Sequence, residues 1–139
     1  MIMIALITLM FNQTVKLIIF YAVEKKLDFG RFFGAGGMPS THSALAMSVA
    51  VSIGYREGWD TSIFALAIAI TIIVMADAAG VRRATGEQAK VLNKIIIEFI
   101  EEIKIKDRRL REFIGHTPFE VIVGAFIGFA IATIISIYF

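Results

Sequence analysis

His42 and His116 are the only histidines of the chain, and each stands just before or within the start of an apolar run. The first lies in Gly36-Gly37-Met38-Pro39-Ser40-Thr41-His42-Ser43-Ala44, where glycines, a proline and three hydroxyl residues lead into the run. A loop of this kind entering a helix offers backbone N–H groups without intrahelical partners and the positive end of the helix dipole, which suits a phosphate or similar oxyanion. A histidine in that first turn can give a proton to the bound group or take one from it. The second lies in Gly115-His116-Thr117-Pro118-Phe119-Glu120, where Thr117, Pro118 and Glu120 have the spacing of a capping box with proline at the first helical position. Either junction alone reads as an ordinary helix start. Two of them, each holding a histidine, suggest one site built from both. The chain has no cysteine, so disulfides and thiolate metal sites are ruled out, and nothing in the pattern calls for a metal or another cofactor.

The elements that position these residues are membrane spans. A mean hydropathy of +0.78 and 58% hydrophobic residues are too high for a soluble domain of 139 residues. Four stretches approach the roughly 20 residues that cross a bilayer: Ile2–Val23, Ser40–Tyr55, Thr61–Ala79 and Pro118–Phe139. Met1 to Met10 lacks a preceding basic region and a clear cleavage site, so the first stretch reads as a retained helix. Its Asn12, Gln13 and Lys16 form a polar stripe that must face the bundle interior, since lipid exposure costs several kcal/mol. Arg56-Glu57-Gly58-Trp59-Asp60 reads as a tight turn between the second and third spans, with Trp59 as an interfacial aromatic.

Charge placement orients the spans. All of the 14 basic residues except Lys16 and Arg56 lie in two loops, Val23 to Pro39 and Gly80 to Thr117. The positive-inside rule then places both loops in the cytoplasm and both termini outside. Within the longer loop, Val91, Leu92, Ile95, Ile96, Phe99, Ile100 and Ile103 recur at helical spacing, which predicts an amphipathic helix from about Gly86 to Lys104. Such a helix lies on the membrane surface or covers the cytoplasmic ends of the spans. This topology gathers His42, His116, Asp77, Arg82 and Arg83 at one end of the bundle together with two helix N-termini. That set can bind a phosphoryl group through arginine forks and backbone N–H groups, and it contains candidates for a nucleophile and a general acid. Asp77 paired with Arg82 or Arg83 is equally readable as a structural bridge, and Glu120 as a cap.

The blocks around His42 and His116, with Asp77-Ala78-Ala79-Gly80-Val81-Arg82-Arg83, Gly86-Glu87-Gln88-Ala89 and Leu92-Asn93, resemble the divergent family related to type 2 phosphatidic acid phosphatases and vanadium-dependent haloperoxidases. The resemblance runs through nearly the whole chain in the expected order. It implies a helical bundle of phosphate-ester hydrolases in which His42 is the general acid, His116 the nucleophile and Glu120 the carboxylate that orients it. It further implies that Ser40, Thr41 and the adjoining backbone hold phosphate oxygens, and that cations neutralise them. The parent motif of a lysine followed by Arg-Pro is absent; Lys26 and Arg31 are the nearest loop cations, Lys16 is a further candidate, and Arg82 or Arg83 can supply the charge. The arginine expected six residues before the second histidine is replaced by Leu110, between Arg109 and Arg111, and Glu120 stands where an aspartate is usual.

The resulting expectation is an all-α polytopic membrane bundle of about four transmembrane helices plus one amphipathic cytoplasmic helix, with residues 1–139 forming a single membrane-embedded domain. Its expected function is hydrolysis of a membrane phosphate ester, with a lipid phosphate as the expected substrate. The alternative is a non-catalytic membrane protein that binds anionic headgroups or phosphate at the same pocket. A small transporter is a weaker reading, because four spans without repeats leave little room for a path unless the chain forms a homo-oligomer. The expected partners are membrane lipids, not nucleic acid, and the expected place is the cell inner membrane with the site on its cytoplasmic side.

Overall fold

In hydrocarbon no water satisfies backbone N–H and C=O groups, so apolar runs of this length close their hydrogen bonds internally as helices. The computed structural model describes residues 1–25, 37–103 and 115–138, apart from the side chains of 82, 83 and 98–103. Its elements are α1 (Ile2–Glu24), α2 (Thr41–Glu57), α3 (Ser62–Ala79), α4 (Val81–Ile103) and α5 (Pro118–Tyr138). Among the described residues, three helices are long and apolar enough to cross a membrane: α1, the one that begins at Ser62 and contains α3, and α5. Together they define a helical integral membrane protein. The fourth expected span, α2, has 17 residues and lies at the centre, packed against α5, α3 and α1.

The central place of α2 follows from its small side chains. Ala44, Ala50, Ser43, Ser48, Ser52 and Gly54 are all buried, and they let neighbouring backbones approach closely. The hydroxyls of Ser48 and Ser52 donate to the carbonyls of Leu45 and Ser48, so they need no partner from another helix. Thr71 of α3 donates across the interface to the Ala46 carbonyl at 3.2 Å. On the other side, α5 presents Gly124 and Gly128. A Cβ at Gly124 would collide with the Ser40 carbonyl, and one at Gly128 with the Ala44 carbonyl. The small-xxx-small face read from the sequence is thus the seam between α5 and the first turn of α2.

α1 buries Ile4, Thr8, Asn12 and Lys16, one residue per turn, so the expected polar stripe does face the interior. Lys16 is only 5% exposed. The apolar residues left outside, among them Leu6, Met10, Ile70, Ile122 and Phe126, are the lipid-facing surface of a membrane bundle. At the α2–α3 turn, Gly58 takes φ 102°, and Trp59 folds back over Gly54 with ring contacts of 5.1 Å to both Tyr55 and Phe64.

α4 begins earlier than its hydrophobic periodicity indicates. Gly80 does not stop the chain, because its N–H donates to the Ala76 carbonyl and its own carbonyl accepts from Ala84. The helix therefore restarts at Val81 rather than near Gly86. Its buried residues include Gly86, Ala89 and Asn93, spaced along one face, whereas Val91, Leu92 and Ile95 of the apolar stripe are exposed. Lys104 to Arg111, in the charged part of the long loop, lies outside the described residues.

Candidate active site

The first turn of α5 builds one half of the site. The Glu120 N–H donates to Thr117 Oγ1 at 3.3 Å, and the Thr117 N–H donates to Glu120 Oε2 at 2.8 Å, which completes the capping box. The same Oε2 lies 3.3 Å from Nδ1 of His116. A carboxylate only accepts, so this contact assigns an imidazole proton to Nδ1. Capping and orientation, which were alternative roles for Glu120, are thus compatible in one oxygen. His116 itself is buried, and its backbone N–H donates to the Ala78 carbonyl at the end of α3.

The start of α2 builds the other half. The Ser40 N–H donates to the Glu120 carbonyl at 3.1 Å, which ties the two helix starts together directly. Gly124 admits the Ser40 backbone one turn further along α5. From α1, Asn12 Nδ2 donates to the Pro39 carbonyl at 3.2 Å and to Thr41 Oγ1 at 3.0 Å. With the Pro39–Thr41 segment held from both sides, the His42 ring sits 6.4 Å from the His116 ring, centroid to centroid, in an edge-on arrangement. Hydrogen bonds of about 2.9 Å on each side of a small tetrahedral anion bridge such a gap.

The remaining expected residues differ in how they meet the site. Ser40 and Thr41 are at the site, but their hydroxyls are engaged in the scaffold: Ser40 Oγ accepts from Ser43 in a buried pair, and Thr41 Oγ1 accepts from Asn12 and approaches Gln13. What this turn offers an anion is its backbone, since the first intrahelical bond runs from the Ala44 N–H to the Ser40 carbonyl and the three N–H groups before it have no intrahelical acceptor. Asp77 lies in the last turn of α3, half-buried and next to the Ala78 anchor. Arg82 and Arg83 lie in the first turn of α4, with side chains outside the description, and Lys26 and Arg31 fall outside the described residues. Lys16 lines a cleft of about 180 Å³ with Gly37 and Met38, so its charge is set against the loop that leads to His42. Among the described residues, no three His, Asp or Glu side chains cluster as metal ligands.

Two contributors were not assigned a role from the sequence. Asn12 was placed in the interior without a partner, and Ser43 was part of a motif without a function. The signal for Asn12 was its polarity in an apolar span, where such residues generally serve the bundle interior.

The two histidines thus meet at paired helix starts of a membrane helical bundle, one of them beside a carboxylate a turn away. The chain belongs to the divergent PAP2 family, whose model matches residues 1–131. It is similar to the uncharacterized membrane protein YuiD of Bacillus subtilis (strain 168), with 35% identity over 146 residues that cover 97% of this chain and 92% of that protein. No solved structure matches it.

Proposed function

We propose that the protein hydrolyses a phosphate monoester borne by a membrane lipid, at the cytoplasmic face of the cell inner membrane. The observation that carries this reading is the arrangement of Glu120, His116 and His42: a carboxylate 3.3 Å from Nδ1 of one histidine, with the second ring 6.4 Å away. His116 Nε2 attacks phosphorus, the P–N bond forms as the ester P–O bond breaks, and His42 gives its proton to the departing alkoxide. Glu120 holds the positive charge that develops on His116. Water then attacks the phosphohistidine, His42 takes its proton, and inorganic phosphate leaves with both histidines restored. The N–H groups of Thr41, His42 and Ser43 face the phosphate oxygens at a helix N-terminus, and Lys16, Arg82 and Arg83 are the cations assigned to balance the charge.

A second reading, in which the pocket binds phosphate headgroups without turnover, is favoured by the engaged Ser40 and Thr41 hydroxyls and by the absent Arg-Pro motif. Phosphate release from a panel of lipid phosphates by purified protein, with His116→Ala as control, separates the two. Release by the parent and none by the variant supports hydrolysis. Headgroup binding without release by either supports the second reading.

A further inference from the structure

An apolar groove of about 410 Å³ runs between α2 and α3, and His42 stands at one end of it. That volume is within the range of ligand clefts, about 300–1,000 Å³. Ala46, Val49 and Ile53 form one wall, and Ile63, Ala67 and Ile70 the other. The two alanines face a space that larger side chains would fill. Thr71, the polar residue of the wall besides His42, donates its hydroxyl to the carbonyls of Ala46 and Ala67 and so presents no unsatisfied group. Ile63 and Ile70 are largely exposed, so the groove opens on the lipid-facing side.

Its length matters as much as its polarity. From His42 to Ile53 the helix rises about 16 Å at roughly 1.5 Å per residue, close to half of a hydrocarbon core about 30 Å thick. The groove thus descends from the histidine pair through the depth of one leaflet. A chain lying in it would have its polar end at His42.

We propose that this groove holds one fatty acyl chain of the phosphate lipid whose headgroup lies between His42 and His116. The placement rests on the reading of that pair as a phosphate site. Because the chain moves from bilayer hydrocarbon to protein hydrocarbon, the groove gains little hydrophobic free energy and acts chiefly by packing, fixing the depth and direction of the headgroup. The preferred ligand is therefore a long-chain phosphate amphiphile.

The test uses the full chain in phosphatidylcholine vesicles with a diacylglycerol phosphate carrying a photoreactive diazirine at mid-chain. Adducts are mapped by mass spectrometry. They should concentrate on groove residues of α2 and α3, and excess unlabelled diacylglycerol phosphate should suppress them while diacylglycerol with the same chains does not. Ala67→Trp should bring groove labelling down to the level of the outer faces. Ala46→Leu, a smaller intrusion, should lower it in part, and Ile134→Trp, on an exposed position of α5 outside the groove, should leave it as in the parent. Adducts spread evenly over α1, α3 and α5, adducts indifferent to Ala67→Trp and Ala46→Leu, or crosslinks from the groove to a second copy of the chain would each overturn the proposal. Phosphate release, measured on the same samples, keeps the readings apart. Groove labelling without release retains the groove and removes catalysis. Release without groove labelling retains catalysis and removes the groove.

Discussion

Glu120 Oε2 and His116 Nδ1 lie 3.3 Å apart, one helical turn from each other, and that oxygen also accepts the Thr117 N–H at 2.8 Å. The cap that starts α5 and the group that sets the histidine tautomer are one atom. Replacing Glu120 by Gln keeps the shape, removes the charge and lets the amide oxygen or nitrogen face Nδ1. The expected result is a small stability loss of about 0.3–1 kcal/mol from the helix terminus and a much larger fall in phosphate release. Thermal unfolding in detergent measures the first and single-turnover release the second. Equal proportional losses in both would leave Glu120 as a cap alone.

His116→Ala should abolish turnover, since no other group replaces the attacking atom. His42→Ala should slow release by about 10²–10⁴-fold, the usual contribution of a general acid. Labelling with a ³²P lipid phosphate followed by an alkaline quench should trap phosphohistidine in the parent, and the label should vanish in His116→Ala.

Gly124→Ala introduces a methyl where the Ser40 carbonyl already lies, and Gly128→Ala does the same against Ala44. Backbone cannot rotate away as a side chain can, so each change should cost about 1–3 kcal/mol, the usual penalty of overpacking. Gly124→Ala should also lower activity more than Gly128→Ala, because Ser40 is closer than Ala44 to the hydrogen bond that joins the two helix starts. Melting temperatures and phosphate release on both variants check the order.

Asn12→Leu removes the donor to the Pro39 carbonyl and to Thr41. A buried carbonyl left without its donor should cost about 1–3 kcal/mol. Asn12→Asp, which retains the size but supplies only acceptors when ionised, should not rescue the loss. Equal melting points for Asn12→Leu and the parent would show that the Asn12 clamp contributes nothing.

The chain lacks native cysteine, so single-cysteine labelling reports topology cleanly. Cysteines at Leu27 and Ile105 should be protected from an impermeant maleimide in intact cells, while one at Asp60 should react. The reverse pattern would put the histidine pair outside.

What could be read from the sequence was whatever depends on residues near one another in the chain. The length and apolarity of α1, α3 and α5, the inward polar stripe of Asn12 and Lys16, and the Thr117–Glu120 cap all follow local periodicity or spacing. The pairing of His42 with His116 was also accessible, because topology alone brings both junctions to one end. The restart of α4 at Val81 was not, since Gly80 is equally able to end a helix or to pass its hydrogen bonds across a bend. Nor could the hydroxyl of Thr41 be seen to turn inward, because its partner Asn12 is chosen by how α1 packs against α2. The groove between α2 and α3 depends on which alanines face each other, and that register exists only after the helices have paired.

The hydrogen bond from His116 to Ala78 has a further consequence. It brings the chain back, after the excursion from residue 79 to 115, to the point it left. The excursion is therefore a closed loop with pinned ends. Closing a loop depends only logarithmically on its length, so doubling it costs about 0.6 kcal/mol. Insertions and deletions far from the clasp are nearly neutral for the histidine, whose position is measured from α3 and not along the intervening chain. Length changes past the end of α4 thus leave Arg82, Arg83 and the buried face of α4 where they are, while the chemistry at the clasp stays in register.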